Sequence, residues 1–288
     1  MKKLAGIILV ILIMAVAATA GYIIYDSSRV VTVEYTYASP KVPKNFDGYR
    51  IGVISDFHNS DNYEKIHKAF REAKPDIICV TGDLVDMNTT DFTNAVKLME
   101  GLTEITDVYY VYGNHEIWSN SENGTETPLI KDKLEGLNIH FLNDSVKTIE
   151  KNGELINLVG YGDSLYDDTG EAGEIFRKKA KEKTTKLYNT LDKTVLSVLL
   201  FHRGQYFDML AETGYDIVLA GHLHGGIVNI KGIREYILST HFGADEYLKG
   251  EYKIGNSTMF LSSGIANRKN VPRIFNTSEI NIVELRTK

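Results

Sequence analysis

Five short apolar segments restrict the fold most: Ile51 to Ser55, Ile77 to Thr81, Val108 to Tyr112, Val195 to Phe201 and Ile217 to Ala220. A strand with one wet face alternates polar and apolar residues. Runs without that alternation need cover on both faces, so helices must lie outside the sheets. The spacing predicts helices at 62–73, 92–103, 127–136, 171–190 and 205–213, the fourth polar enough to be a solvated surface helix. Asn152 and Gly153 supply a tight turn between Val146–Glu150 and Leu155–Val159. Met259–Ser262, Arg273–Asn276 and Ile280–Leu285 are strand-like, with no helix-length stretch between them. Together these features predict an α/β fold, a four-layer α-β-β-α sandwich of two mixed sheets.

The N-terminus obeys a different rule. Lys2 and Lys3 precede 22 uncharged residues, Leu4 to Tyr25, which end at Asp26. As a helix this run spans about 30 Å, the thickness of a bilayer's hydrocarbon core. The lysines favour a cytoplasmic N-terminus and an exported remainder. The expectation is a single-pass membrane anchor through residues 4–25, with the remaining domain outside the cytoplasm. The alternative is secretion after signal cleavage near Ala20. Organisation then reads as an anchor or signal segment at 1–25, a linker with one short strand at 26–48, and one domain at 49–288.

Each apolar segment runs into polar residues. Asp56, Phe57 and His58 follow the first, Gly82 and Asp83 the second, Gly113, Asn114 and His115 the third, His202 the fourth, and Gly221, His222, Leu223 and His224 the fifth. The carboxyl ends of strands are where α/β sheets place their sites. Five of the 8 histidines fall there, leaving His67, His140 and His241 elsewhere. With Cys79 the only cysteine, any metal must be held by imidazole and oxygen. Asp56, His58, Asp83, Asn114, His202, His222 and His224 are too many donors for one tetrahedral ion and suit two ions sharing a carboxylate. A formal net charge of -6 without a basic block argues against a nucleic-acid scaffold role.

The strings ISDFHNS, VTGDLVD, VYGNHE, LLFHRGQYFD and LAGHLHGG, in that order, resemble the calcineurin-like metallophosphoesterases. Within that family they resemble the membrane-associated bacterial branch of YkuE-like and YaeI-like phosphodiesterases, over the chain from about residue 49. The resemblance implies that Asp56, His58, Asp83 and His224 surround a first metal. Asp83 then bridges to a second, completed by Asn114, His202 and His222. It implies two divalent ions, manganese, zinc or iron, with a hydroxide between them that attacks phosphorus in line. By the same resemblance His115 is the expected catalytic residue, contacting the phosphate and stabilising or protonating the leaving oxygen.

The expected activity is therefore hydrolysis of a phosphoester, a diester rather than a monoester, in a small molecule, a lipid headgroup or an envelope component. A membrane-anchored, non-catalytic metal- or phosphate-binding module is the alternative. Asp86 reads as a helix cap or a support for the ligands, Glu116 as such a support or a surface residue, Asp163 as structural, and Phe57, Tyr112, Cys79 and Trp118 as packing residues. Two departures from the family pattern bear on substrate. Arg203-Gly204 follows His202 where relatives often carry a proline, which suggests a looser loop, and Ile227 stands where a glutamine is common.

Overall fold

A computed structural model describes residues 2–87, 89–121, 129–164, 170–237, 247–266 and 273–288. His241 and the first residues of the 127–136 helix lie outside the described residues, as does the side chain of Trp118.

Helix α1 (Lys2–Ser27) leads into β1 (Val30–Ser39). The first half of the domain then alternates: β2 (Arg50–Ile54), α2 (Tyr63–Ala73), β3 (Ile77–Val80), α3 (Thr93–Thr103), β4 (Val108–Tyr110), α4 (Asn114–Ser121), α5 (Leu129–Lys133) and β5 (Ile139–Phe141). The second half opens with the hairpin β6 (Ser145–Lys151) and β7 (Glu154–Tyr161). It continues through α6 (Gly170–Asn189), β8 (Leu196–Arg203), α7 (Phe207–Ala211), β9 (Ile217–Gly221) and α8 (Ile233–Ile237). It closes with β10 (Gly250–Ile254), β11 (Ser257–Leu261) and β12 (Ser278–Thr287).

Two mixed sheets result, in the orders β1-β12-β2-β3-β4-β5 and β10-β11-β9-β8-β7-β6. The uninterrupted apolar segments behave as their composition requires. Ile51, Val53, Ile77 and Cys79 of one sheet meet Val198, Leu200, Ile217 and Leu219 of the other in a shared central core. Their neighbours Ile54, Ile78 and Val80 turn the opposite way, packing with Ile66 and Phe70 of α2 and Leu98 of α3. Leu199, Phe201 and Val218 do the same on the second sheet, against Phe176 and Ala180 of α6 and Leu210 of α7. Helix, sheet, sheet, helix are the four layers anticipated above. Burying each of these side chains stabilises the fold by about 1.5–3 kcal/mol.

The segment 26–48 corrects the linker reading. β1 is ten residues long and pairs in parallel with β12 from Val30↔Ser278 to Ser39↔Thr287. Val42 and Phe46 are buried in the central core. Alternation over Val31 to Tyr37 showed a strand, but nothing local shows that its partner lies at the other end of the chain. Arg273–Asn276 differs in the other direction, contributing only the bridge between Val228 and Ile274. Its Arg273 turns inward and donates to the carbonyls of Ala266, Asn276 and Ser263, which breaks the ladder. β5 and β10, short and incompletely buried, carried no distinct apolar signal.

One topological consequence positions everything that follows. β12 runs antiparallel to β2 and parallel to β1. The start of β1, where α1 ends, therefore lies on the same sheet edge as the carboxyl ends of β2, β3 and β4.

Leu219 on β9 is fully buried between the sheets. Leu219→Ala should lower the unfolding free energy by about 2–5 kcal/mol, measured by denaturant titration, with the m-value unchanged.

Candidate active site

All seven proposed donors and His115 gather at that edge. Asp56 and His58 follow β2, Asp83 follows β3, Asn114 and His115 open α4 after β4, His202 lies near the end of β8, and His222 and His224 follow β9. The chain must turn sharply at each strand end to aim a side chain back into the crevice. Asp56, His58, Asp83, His222 and His224 accordingly take positive φ angles of 52°, 45°, 53°, 76° and 48°. Each such non-glycine conformation is uncommon, costs on the order of 1 kcal/mol or more, and persists only where surrounding contacts hold it.

Those contacts are hydrogen bonds between neighbouring strand ends. Asp56 N–H donates to Gly82 O at 3.1 Å, and His58 N–H to Asp83 O at 3.0 Å. The His222 N–H lies 3.1 and 3.0 Å from the two carboxylate oxygens of Asp56. Below Asp83 sits Glu116, fully buried. Its Oε2 accepts from the N–H groups of Asp83 and Gly113 at 3.0 and 2.7 Å, while Oε1 accepts from Leu84 N–H at 2.6 Å and the Tyr110 hydroxyl at 2.9 Å. Glu116 thus fastens the turn bearing Asp83 to the turn bearing Asn114. Burial raises its carboxyl pKa, and nearby Asp83 adds to that shift.

Glycine is required at two points by close approach alone. A methyl group on Gly113 would lie 2.2 Å from Asp83 Oδ1, and one on Gly221 would lie 1.9 Å from Ser55 Oγ and 2.5 Å from Asp56 Oδ2.

The donor atoms face one another. His58 Nε2 is 3.3 Å from His224 Nε2, and His224 Nε2 is 3.5 Å from Asp56 Oδ1. Asp83 Oδ2 is 3.6 Å from His58 Nε2 on one side and 3.2 Å from His202 Nε2 on the other. His202 Nε2 also lies 3.1 Å from Asn114 Oδ1 and 3.2 Å from His222 Nδ1. Donors around one cation at about 2.1 Å stand about 3.0–3.5 Å apart, so the residues present fit metal ions. The His202 tautomer fits as well: Nδ1–H donates to Thr81 O at 2.7 Å, leaving the Nε2 lone pair directed at the cluster. Asp56, His58 and His224 form one potential metal-binding group and Asp83, His202 and His222 another, while His58, Asp83 and His115 form a third between them.

The electrostatics agree with that chemistry. Burial lowers the pKa of His58 to about 4 and holds His222 and His224 well below the usual imidazole value, so all three favour the neutral imidazole that a metal requires. His202 departs from them. Burial disfavours its charged form, yet the Asp83 carboxylate beside it raises its pKa to about 10. The field that attracts a proton to that position equally favours a bound cation. His115 stands beside the cluster, Nε2 3.8 Å from Asp83 Oδ2. Its Nδ1 is 2.9 Å from Asp86 Oδ1, which also accepts from Met87 N–H at 2.8 Å. The hydrogen bond from His115 holds the Asp86 carboxyl down at about 2.

Several supports escaped the sequence reading. Arg203 makes the loop after His202 tight rather than loose. It is buried, its Nε donates to Asp163 Oδ2 at 2.6 Å, and its guanidinium lies 4.8 Å from the Phe176 ring centroid. Asn276 was not anticipated, yet its Nδ2 donates to His224 O at 2.7 Å and reaches Ile227 O at 3.3 Å, spanning the whole turn. Its partners lie about fifty residues away, so no local pattern marks it. Phe57, Tyr112 and Cys79 are buried core residues.

A four-layer sandwich with a cluster of imidazole and carboxylate donors at one sheet edge defines a metal-dependent phosphoesterase. The chain belongs to the calcineurin-like phosphoesterase family, whose sequence profile matches residues 49–226. It is similar to the uncharacterized metallophosphoesterase YkuE of Bacillus subtilis, 23% identical over 276 residues that cover 93% of this chain and 90% of that protein. It is also similar to a transmembrane protein with a metallophosphoesterase domain from Danio rerio, 24% identical and covering 97% of this chain and 62% of that protein. Among solved structures, the phosphopantetheinyl hydrolase PptH of Mycobacterium tuberculosis aligns with a TM-score of 0.49 at 12% identity, over 75% of this chain and 89% of that one.

Glu116→Ala would leave several buried backbone donors unsatisfied and should destabilise the protein by about 3–5 kcal/mol, measured by denaturant titration. Glu116→Gln, which keeps an acceptor oxygen, should lose clearly less.

Proposed function

We propose that the protein hydrolyses a phosphodiester in preference to a monoester, using two divalent cations, with zinc or manganese favoured and iron suited to one position. Asp56, His58, Asp83 and His224 would hold one ion, and Asp83, Asn114, His202 and His222 the other. The observation that carries this reading is the Asp83 carboxylate, whose Oδ2 lies within 3.6 Å of His58 Nε2 and 3.2 Å of His202 Nε2 and so belongs to both halves of the cluster. Two cations held together would make a water acidic enough to ionise near neutral pH and would offset charge on the phosphoryl oxygens.

The remaining work falls to the chain itself. Asp86 holds the Nδ1–H of His115, which aims Nε2 at the crevice. Burial opposes the imidazolium, but Asp83 and Asp86 outweigh it and raise the His115 pKa. Nε2 is thereby set to contact a phosphoryl oxygen and give a proton to the departing oxygen. The preference for diesters follows the resemblance to the YkuE-like and YaeI-like branch.

Helix α1 supports a membrane location. Residues 3–27 are long and apolar enough to cross a bilayer, and the most apolar stretch of that helix is not buried against the protein. The reading adopted is a single-pass bacterial membrane protein whose catalytic domain is extracytoplasmic, with Lys2 and Lys3 on the cytoplasmic side.

Chelation should abolish hydrolysis of a soluble aryl phosphodiester, and returning zinc or manganese should restore it; hydrolysis that survives chelation refutes the assignment. His115→Gln should retain metal by elemental analysis while kcat falls about 10²–10⁴-fold, and Asp86→Asn should fall about 10–100-fold. Full metal content with no hydrolysis of any phosphoester by the unaltered protein would make it a binding module.

A further inference from the structure

The membrane helix and the catalytic crevice share one edge of the first sheet, and the connection between them is short and braced. Only Ser28 and Arg29 separate α1 from β1. Asp26 is nearly fully buried; its Oδ1 accepts from Arg29 Nη2 at 2.8 Å and from the Thr277 hydroxyl at 2.7 Å. Lys65 Nζ of α2 donates to Ser28 O at 2.6 Å. The Tyr22 ring of α1 lies 5.9 Å from that of Phe275. Three consecutive residues therefore divide their contacts between helix and site. Phe275 and Thr277 touch α1, while Asn276 between them clamps the carbonyls of His224 and Ile227. A helix so fixed cannot swing freely, so the direction in which it enters a bilayer also sets which face of the domain meets that bilayer.

That face carries several exposed apolar side chains beside the helix exit. Phe275 is 44% exposed with its backbone at a positive φ of 52°. Ile274 hydrogen-bonds with Ile227 and Asn229, which places Phe275 beside the chain entering α8. There Ile230, Ile233 and Tyr236 are 38%, 48% and 66% exposed. Lys231, exposed, lies between Ile230 and Ile233 in sequence, Arg234 pairs with Glu235, and Arg29 stands at the exit of α1. Apolar side chains interleaved with cations and ending in an aromatic describe a surface that sits in the headgroup layer. Large apolar groups left singly in water need no explanation, but a set continuous with a bilayer-length helix does.

We propose that the face formed by Phe275, Ile230, Ile233 and Tyr236 docks on the bilayer that α1 enters, so that the crevice opens at headgroup level and takes its phosphoester from a membrane lipid. This rests on the hydrolytic reading above and names the substrate class for the same site. An ester phosphorus at the membrane surface is then already at the height of His224 and its neighbours, and a soluble ester has no such advantage.

The test uses the full metal-loaded chain in vesicles of equal parts phosphatidylcholine and phosphatidylglycerol. Cys79 is buried, so a fluorophore can be directed to Tyr236→Cys and, as a control, to Lys147→Cys on β6, the far edge strand of the other sheet. A lipid-borne quencher should quench the Tyr236 label several-fold more than the Lys147 label; equal quenching overturns docking, whatever the activity. In the same vesicles the double variant Ile233→Asp, Tyr236→Asp should keep hydrolysis of a soluble aryl phosphodiester within about twofold. Hydrolysis of a fluorogenic phospholipid in the bilayer should fall at least about tenfold, the factor implied by losing two apolar side chains from an interface. Parallel loss, or no loss, on the two substrates overturns the lipid assignment. Absence of aryl phosphodiester hydrolysis in the unaltered protein would defeat the hydrolytic reading and leave docking to the quenching result.

Discussion

The site depends on how the Asp83 carboxylate is kept charged although it is almost wholly buried. Burial alone would push its pKa up, but the imidazoles of His202, His115 and His58 hold it well below the ordinary carboxylate value. Asp56 is equally buried, and there burial raises the carboxyl pKa despite the opposing influence of His202. The two acids therefore compete for compensation within one crevice. Bound cations would relieve both, since a metal between oxygen and nitrogen donors replaces protons that the imidazoles must otherwise carry.

The backbone bears the cost of bringing these groups together. Five of the seven donors take left-handed conformations, and the strand-end hydrogen bonds that hold them also hold one another. Glu116 is the central member of that set because one carboxylate satisfies the turns after β3 and β4 at once. Buried polar networks of this kind favour a unique arrangement only when every member is satisfied. The donors are supplied by both sheets, and the central core between those sheets fixes their separation.

Much of this was legible in the sequence because the information was local. An apolar segment followed within a few residues by aspartate or histidine marks a buried strand and the chemistry at its end, and all five such segments became strands. Asp56 through His224 could be named for that reason. What stayed hidden was nonlocal. β1 looked like a short strand within a linker because its partner is β12, Arg203 looked like a loosened loop because Asp163 lies forty positions away, and Asn276 sat in a stretch that looked like a strand. Patterning reports which way a residue faces, not what it will meet there.

The pairing of the chain's two ends has a further physical effect. β12 lies between β1 and β2, so the last strand of the chain joins the segment after the membrane helix to the strand that carries Asp56. The first sheet is complete only once that final strand is in place, since β1 has no other partner among the described residues. Pairing of β12 with both β1 and β2 is thus the step that joins the end of α1, β1 and the site edge into one unit. A flexible tether would let the crevice sample every direction around the helix. Ten paired residues and a two-residue connection hold it to one.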